Sequence, residues 1–154
     1  AVSKEFPVIF RWSQWKQQDY TVKLAPTPLA LEKFVEPLVK AGVDCFHCST
    51  RRFWEPEFDG SDLNLAGWVK KITNLPTITV GSVGLNEEFI ASYGGKAASP
   101  ATLDRLIEMF VRGDFDLVAV GRALIVNPNW AELVKAGKFN ELKPFSLEVL
   151  PVLH

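Results

Sequence analysis

The sequence of 154 residues is 47% hydrophobic and 23% charged, with a formal net charge of −1, as in an ordinary single globular domain. A charge this close to neutral gives no reason to expect nucleic acid as a partner. Charged residues interrupt every apolar stretch before it reaches the roughly 18 residues that a membrane span needs. We therefore expect neither nucleic acid nor a membrane among its partners.

The two cysteines are too few for a disulfide scaffold, and the first residues lack a basic segment followed by an apolar core. This pattern predicts a reducing, cytoplasmic setting. The chain opens on Ala1, a few residues before the first predicted strand. That opening suits a piece of a longer protein or a processed product.

Four apolar runs rich in β-branched residues alternate with helical patterns and predict four parallel strands. Their nearly continuous apolar character is typical of strands that are covered on both faces. We therefore predict an α/β protein, a single unit over residues 1–154 with four βα repeats and a C-terminal tail. The predicted strands are residues 6–11, 43–48, 77–81 and 117–121.

The first two helices have recognisable starts. Thr27 is the predicted N-cap of the first helix, with Pro28 in its first turn and a bend at Pro37. Ser61 or Asp62 is the predicted N-cap of the second helix.

The third helix is predicted to open at Ser99 and Pro100, and the fourth near Asn129, where Glu132 would complete a capping box. Helical spacing predicts an inward apolar face on the third helix. That face comprises Leu103, Leu106, Ile107, Phe110 and Val111.

Glycines end the last two predicted strands, in the pairs Gly81-Ser82 and Gly121-Arg122. Glycine lacks a Cβ, so backbone N–H groups can converge on an anion there, and Arg122 adds a planar fork suited to phosphate oxygens. Two successive βα loops of this kind match the phosphate-binding corner of a (β/α)8 barrel, after its seventh and eighth strands. We predict one phosphate site; the alternative for each glycine is a tight turn.

Four segments together resemble the Old Yellow Enzyme family of FMN-dependent NAD(P)H oxidoreductases, and they occur in the family's order. The segments are FRWS at 10–13, DCFHCSTRRF at 44–53, TVGS at 79–82 and VGRALIVNP at 120–128. The resemblance implies the C-terminal half, strands 5 to 8, of a TIM barrel that needs about 250 residues when complete. It implies an ene reductase, a flavoprotein that takes hydride from NAD(P)H and reduces activated alkenes such as enones.

The same resemblance implies roles for individual residues. Arg11 would lie near the flavin N1 and C2 carbonyl and stabilise the reduced flavin. Gly81, Ser82, Gly121 and Arg122 would meet the FMN phosphate. The family's carbonyl-binding and proton-donating residues belong to the other half of the barrel, so no catalytic residue is predicted here and the isolated chain is expected to be inactive. The alternative for Arg11 is an exposed strand-end arginine in a salt bridge.

The segment from 49 to 62 carries the aromatic residues Phe53, Trp54 and Phe58. It resembles a loop that flanks the substrate, and aromatic side chains line pockets and cores alike. The alternative is a lid packed on its own scaffold, and the sequence leaves both open.

The pair Cys45 and Cys48 has the spacing of a redox or zinc motif, but alternate positions on a strand point to opposite faces. No second ligand pair accompanies them. We therefore predict two buried structural cysteines and no metal site.

A second function class also fits the sequence. It is a non-catalytic half-barrel that binds phosphorylated ligands or assembles with another chain. The first and last strands would be open sheet edges, and open edges pair with other strands. A complementary N-terminal half-barrel or a homo-oligomer is therefore the expected partner, beside FMN and a small-molecule substrate.

Overall fold

The computed structural model describes residue 3, residues 5–16 and residues 19–152. Four parallel strands form one sheet in chain order: β1 (Ile9–Ser13), β2 (Cys45–Ser49), β3 (Thr77–Val80) and β4 (Leu117–Val118). The predicted α/β class and parallel sheet are confirmed, and the arrangement is consistent with half of a barrel. Both edge strands are shorter than predicted, β1 starting three residues later and β4 ending three residues earlier.

Six α-helices follow the strands in the described part of the chain. They are α1 (Pro28–Lys40), α2 (Leu65–Thr73), α3 (Phe89–Tyr93), α4 (Asp104–Val111), α5 (Arg122–Val126) and α6 (Trp130–Lys135). Two 3-10 segments, Phe139–Glu141 and Leu147–Val152, complete the described tail. None of these helices has the length and apolar character needed to cross a membrane.

Helix α1 begins as predicted, since the Thr27 hydroxyl accepts a hydrogen bond from the Ala30 N–H at 3.2 Å. The predicted cap of α2 is wrong, because Asn64 takes that position in place of Ser61 or Asp62. The Asn64 carbonyl oxygen accepts from the Gly67 N–H at 2.9 Å. Its amide nitrogen donates to the Phe53 carbonyl at 2.7 Å, so this fully buried cap also holds the loop after β2.

The predicted inward face of α4 is wrong in part. Leu103 and Leu106 are buried, and Met109 joins them at the same spacing of three residues with no exposure. The other three members of the predicted face are exposed. They are Ile107 (55%), Phe110 (51%) and Val111 (79%).

The predicted start of the third helix is also wrong, because α4 begins at Asp104 and the unpredicted α3 precedes it. Asn129 does precede α6, as predicted, but no side-chain bond caps this helix, so the predicted capping box with Glu132 is wrong. The Glu132 N–H instead donates to the Asn129 carbonyl at 3.0 Å.

Helices pack against one face of the sheet and not against the other in the described part of the chain. On one face the Trp12 ring lies 4.6 Å from the Phe34 ring of α1, and Thr79 of the same face is fully buried. The opposite face carries one continuous rung, Arg11, His47, Ile78 and Leu117. Arg11 and Leu117 of that rung are exposed, so the prediction of two covered faces is wrong for the described residues. Helices on one side only are the arrangement of a barrel segment, whose helices lie outside the strands.

Cys45 and Cys48 are both buried and free. Burial raises the pKa of each thiol, most of all for Cys48, which has no exposed surface. Neither therefore has the lowered pKa of a reactive cysteine. The described residues contain no group of three or more His, Cys, Asp or Glu side chains placed to hold a metal ion.

Candidate functional site

A cavity of about 590 Å³ lies where the four strands end. Ser13 of β1, Ser49 of β2, Val80 of β3 and Ala119 just beyond β4 all line it. Parallel strands place their carboxyl ends at one edge of the sheet, so the loops that follow them converge on this space. Strand ends of this kind carry the ligand sites of open α/β sheets and barrels alike.

All five predicted cofactor-binding residues line this cavity. Arg11 comes from β1, Gly81 and Ser82 follow β3, and Gly121 and Arg122 form the junction between β4 and α5. The structure therefore brings together residues that are separated by more than a hundred positions. Their binding of a cofactor stays a prediction.

Among the described residues, three arginines, Arg11, Arg51 and Arg122, line the cavity, and no aspartate or glutamate does. Within the described part of the chain, no carboxylate lies within 4.0 Å of Arg11 or Arg122, which removes the salt-bridge alternative for Arg11 there. Arg51 has a long contact, 4.0 Å from its Nε to the Glu88 carboxylate. A concave site lined by one sign of charge concentrates ligands of the opposite sign. The cavity therefore favours an anion.

Sequence reasoning did not single out Arg51 as a site residue. Its guanidinium lies 3.9 Å from the centre of the Tyr20 ring, which fixes the side chain at the cavity wall. The only sequence signal was its place two residues after the end of β2. That position predicts that Arg51 lies at the correct edge of the sheet, but it does not predict whether the side chain points into the cavity.

Position 81 requires a glycine for two reasons. Its φ is +142°, and a Cβ at this position would lie 2.6 Å from both the carbonyl oxygen and the hydroxyl oxygen of Thr50. Ser82 follows with φ +51°, so the turn keeps two consecutive left-handed residues. Among the described residues, the N–H groups of Gly81, Ser82 and Gly121 have no protein acceptor, and they border the cavity.

Arg122 makes more side-chain hydrogen bonds than Arg11 or Arg51 among the described residues. One terminal nitrogen donates to the Ser92 hydroxyl at 2.7 Å and to the Glu88 carbonyl at 3.3 Å. The other donates to the Glu87 carbonyl at 2.7 Å and to the Ser82 hydroxyl at 3.3 Å. Burial lowers the pKa of Arg122, and the nearby Glu88 and Glu87 carboxylates oppose that shift.

These four bonds change the predicted role of Arg122. Its fork holds the segment around α3 and the turn at Ser82, and only the Nε–H has no acceptor among the described residues. The fork is therefore occupied by protein acceptors in this structure, and its contact with a phosphate stays a prediction. Arg122 supplies positive charge to the cavity and fixes the shape of its wall.

The predicted substrate loop packs against the core. Phe53 and Phe58 are 3% and 9% exposed and belong to the hydrophobic core, and the half-buried Trp54 lies 5.0 Å from the Phe53 ring. The cavity lining includes none of the three. Their placement matches the alternative in which the loop packs on its own scaffold, and the substrate-flanking role stays a prediction. Phe145, in the tail after α6, is also buried, with 2% of its surface exposed, and it belongs to the same hydrophobic core.

The fold and the cavity together define an α/β protein with an arginine-lined cavity at the carboxyl edge of a parallel sheet. No protein-family model matches the chain. The chain is similar to the NADH oxidase of Thermoanaerobacter brockii, with 30% identity over 151 residues, covering 93% of this chain and 20% of that protein. It thus spans about one fifth of the length of this relative.

Proposed function

We propose that these 154 residues form the C-terminal half of a (β/α)8 barrel in an FMN-dependent NAD(P)H oxidoreductase of the Old Yellow Enzyme type, an ene reductase. The observation that carries the proposal is the cavity with three arginines and no carboxylate at the ends of four parallel strands. Similarity to a protein named NADH oxidase supports an oxidoreductase at the coarser level. The role proposed for this half is to hold the phosphate and one edge of the flavin.

The residues around the cavity fit FMN in charge and in space. Arg51 and Arg122 supply positive charge, and the N–H groups of Gly81, Ser82 and Gly121 are available to phosphate oxygens. A Cβ built on Gly121 meets no atom within 4 Å, which leaves room for a ligand against the backbone. When bound, FMN supplies the two-electron chemistry that protein side chains lack.

Arg11 is the residue proposed to act on the flavin ring. It lies on the uncovered face of the sheet, next to His47 in the same rung, and it lines the cavity. Burial lowers the pKa of His47, and the positive charge of Arg11 lowers it further. Among the described residues no carboxylate lies within 4.0 Å of Arg11, so its charge can stabilise negative charge that develops on a ligand in the cavity.

The first test compares Arg11→Gln with Arg105→Gln. A charged hydrogen bond contributes about 1.5 to 3 kcal/mol, so we expect Arg11→Gln to weaken FMN binding roughly 10- to 100-fold. Arg105 is an exposed residue of α4 whose ion pair is a 3.3 Å contact with Glu108, so its variant should bind FMN normally. Quenching of flavin fluorescence gives both dissociation constants.

Arg112 is a poorer control than Arg105. Its guanidinium bonds the Asp114 carboxylate, which is 3% exposed. Removing Arg112 would therefore leave a buried charge unpaired and destabilise the fold. Equal FMN affinities for Arg11→Gln and Arg105→Gln, or no binding by the unaltered protein, would contradict the proposal.

Assembly with another polypeptide is the second candidate, and exposed apolar residues at both sheet edges favour it. Ile9 and Leu117 are 54% and 55% exposed on the face that no described helix covers, and Phe6 is 56% exposed nearby. Surface of this kind is unfavourable in water and is buried by a complementary half-barrel or a second copy.

We expect the protein to associate in solution instead of remaining a 17.2 kDa monomer. Leu117→Lys should shift the equilibrium towards monomer, because it places a charge on the uncovered face. Val111→Lys, at a 79% exposed position on the outer helix α4, should not. Light scattering after size exclusion measures the mass, and a monodisperse monomer for the unaltered protein would argue against assembly.

A further inference from the structure

A second cavity of about 360 Å³ adjoins the first one. It lies between the loop after β1 and the loop after β2, and the two cavities share Trp15 and Thr50 in their linings. Nothing in the proposed FMN site uses this space. The shared lining residues place the two cavities side by side.

Aromatic side chains form one side of the second cavity. The ring centres of Trp15 and Tyr20 lie 4.8 Å apart in an edge-to-face arrangement. Arg51, which lines the first cavity, stacks on the Tyr20 ring, so the junction combines a fixed cation with two aromatic rings. Aromatic rings at a cavity wall bind planar heteroaromatic groups by stacking, at roughly 1 to 3 kcal/mol for a nucleobase.

Charges in the second cavity are paired, in contrast to the first. Lys23 contacts Glu57 at 2.8 Å, and Arg52 contacts Glu55 at 2.8 Å. The Tyr20 hydroxyl donates to the other oxygen of Glu55 at 2.7 Å. The cavity is therefore polar and nearly neutral, with carboxylate oxygens that can accept from an amino group.

We propose that the second cavity binds the adenine ring of a nicotinamide dinucleotide, stacked on Trp15, with the diphosphate near Arg51. This inference rests on the proposed function, because it requires a dinucleotide whose nicotinamide faces the first cavity. Both cations that the described residues contribute to the second cavity are already paired with carboxylates, so a further phosphate on the adenosine would find no free cation among them. The site therefore favours NADH over NADPH.

The test uses ADP-ribose, which has the adenine and the diphosphate but no nicotinamide, so binding is read without any turnover. The five tryptophans give separate indole N–H signals in a ¹H–¹⁵N NMR spectrum, and Trp15→Phe identifies the Trp15 signal. We expect ADP-ribose to shift the Trp15 signal and to leave those of Trp68 and Trp130 unchanged. Trp15→Ala should weaken binding at least 10-fold, and Trp15→Phe should restore most of it.

Absence of ADP-ribose binding, or binding that leaves the Trp15 signal unchanged, would overturn the inference. Equal affinity for ADP-ribose and its 2′-phosphate would overturn the preference for NADH. FMN titration of the same sample separates the two proposals: FMN binding without ADP-ribose binding rejects only the second cavity. Failure of both titrations rejects the proposed function as well.

Discussion

Gly81→Ala is expected to destabilise the protein by about 3 kcal/mol, because the new side chain combines a left-handed backbone with a steric overlap. The added Cβ would lie 2.6 Å from two atoms of Thr50, one of them a backbone oxygen that cannot rotate away. The turn also accepts the Phe53 N–H at the Gly81 carbonyl, at 3.0 Å, so its displacement disturbs the buried loop after β2. Urea denaturation measures the loss.

Gly121→Ala is the matched control, since it makes the same chemical change at the other predicted phosphate loop. Its φ is −108° and no atom lies within 4 Å of the added Cβ, so we expect nearly unchanged stability. The methyl group instead occupies space at the cavity wall, and FMN affinity should fall. Equal destabilisation of the two variants would contradict the assignment of Gly81 as a sterically required glycine.

Arg122→Leu is expected to cost about 3 kcal/mol of unfolding free energy and at least 10-fold in FMN affinity. The variant removes four hydrogen bonds at once, and it leaves the Glu87 carbonyl only the Ser82 hydroxyl and the Glu88 carbonyl only the Ser92 N–H as donors among the described residues. It also removes one of the three positive charges of the cavity. Denaturation and flavin fluorescence measure the two effects separately.

Ser92→Ala provides the control for this variant. It removes the 2.7 Å bond from Arg122 to the Ser92 hydroxyl but keeps the charge, so we expect a loss of about 1 kcal/mol and normal FMN binding. If Arg122→Leu binds FMN as well as Ser92→Ala does, the charge of Arg122 has no part in binding.

Local signals in the sequence predicted the four strands and the start of α1, but not the helix starts that depend on distant partners. Thr27 and Pro28 mark the start of α1 because a hydroxyl cap and a fixed proline φ act within one turn of the helix. The cap of α2 was missed because three neighbouring polar residues could each cap a helix. Asn64 is the cap because its amide also bonds the buried Phe53 carbonyl, a partner that only the folded chain brings close.

In the candidate site, too, some features could be predicted from the sequence and others could not. Gly81 and Gly121 could be predicted to lie together, because parallel strands in βα repeats end at one edge and each glycine marks a strand end. The direction of the Arg51 side chain and the four partners of Arg122 could not be predicted. Arg51 stacks on Tyr20, which lies in the loop after β1. Three of the partners of Arg122 lie in or next to α3, a helix that the sequence pattern did not indicate.

The sequence by itself determined the class of fold and the edge of the sheet at which the candidate site lies, because these follow from hydrophobic periodicity and residue conformation along the chain. Only the tertiary structure decided which charges remain unpaired and which face of the sheet stays uncovered. Hydrogen bonds, salt bridges and burial join residues that are far apart in sequence, as the hydrogen bond from Arg122 to Ser82 shows, 40 positions apart. Those contacts make the first cavity positive and the second nearly neutral.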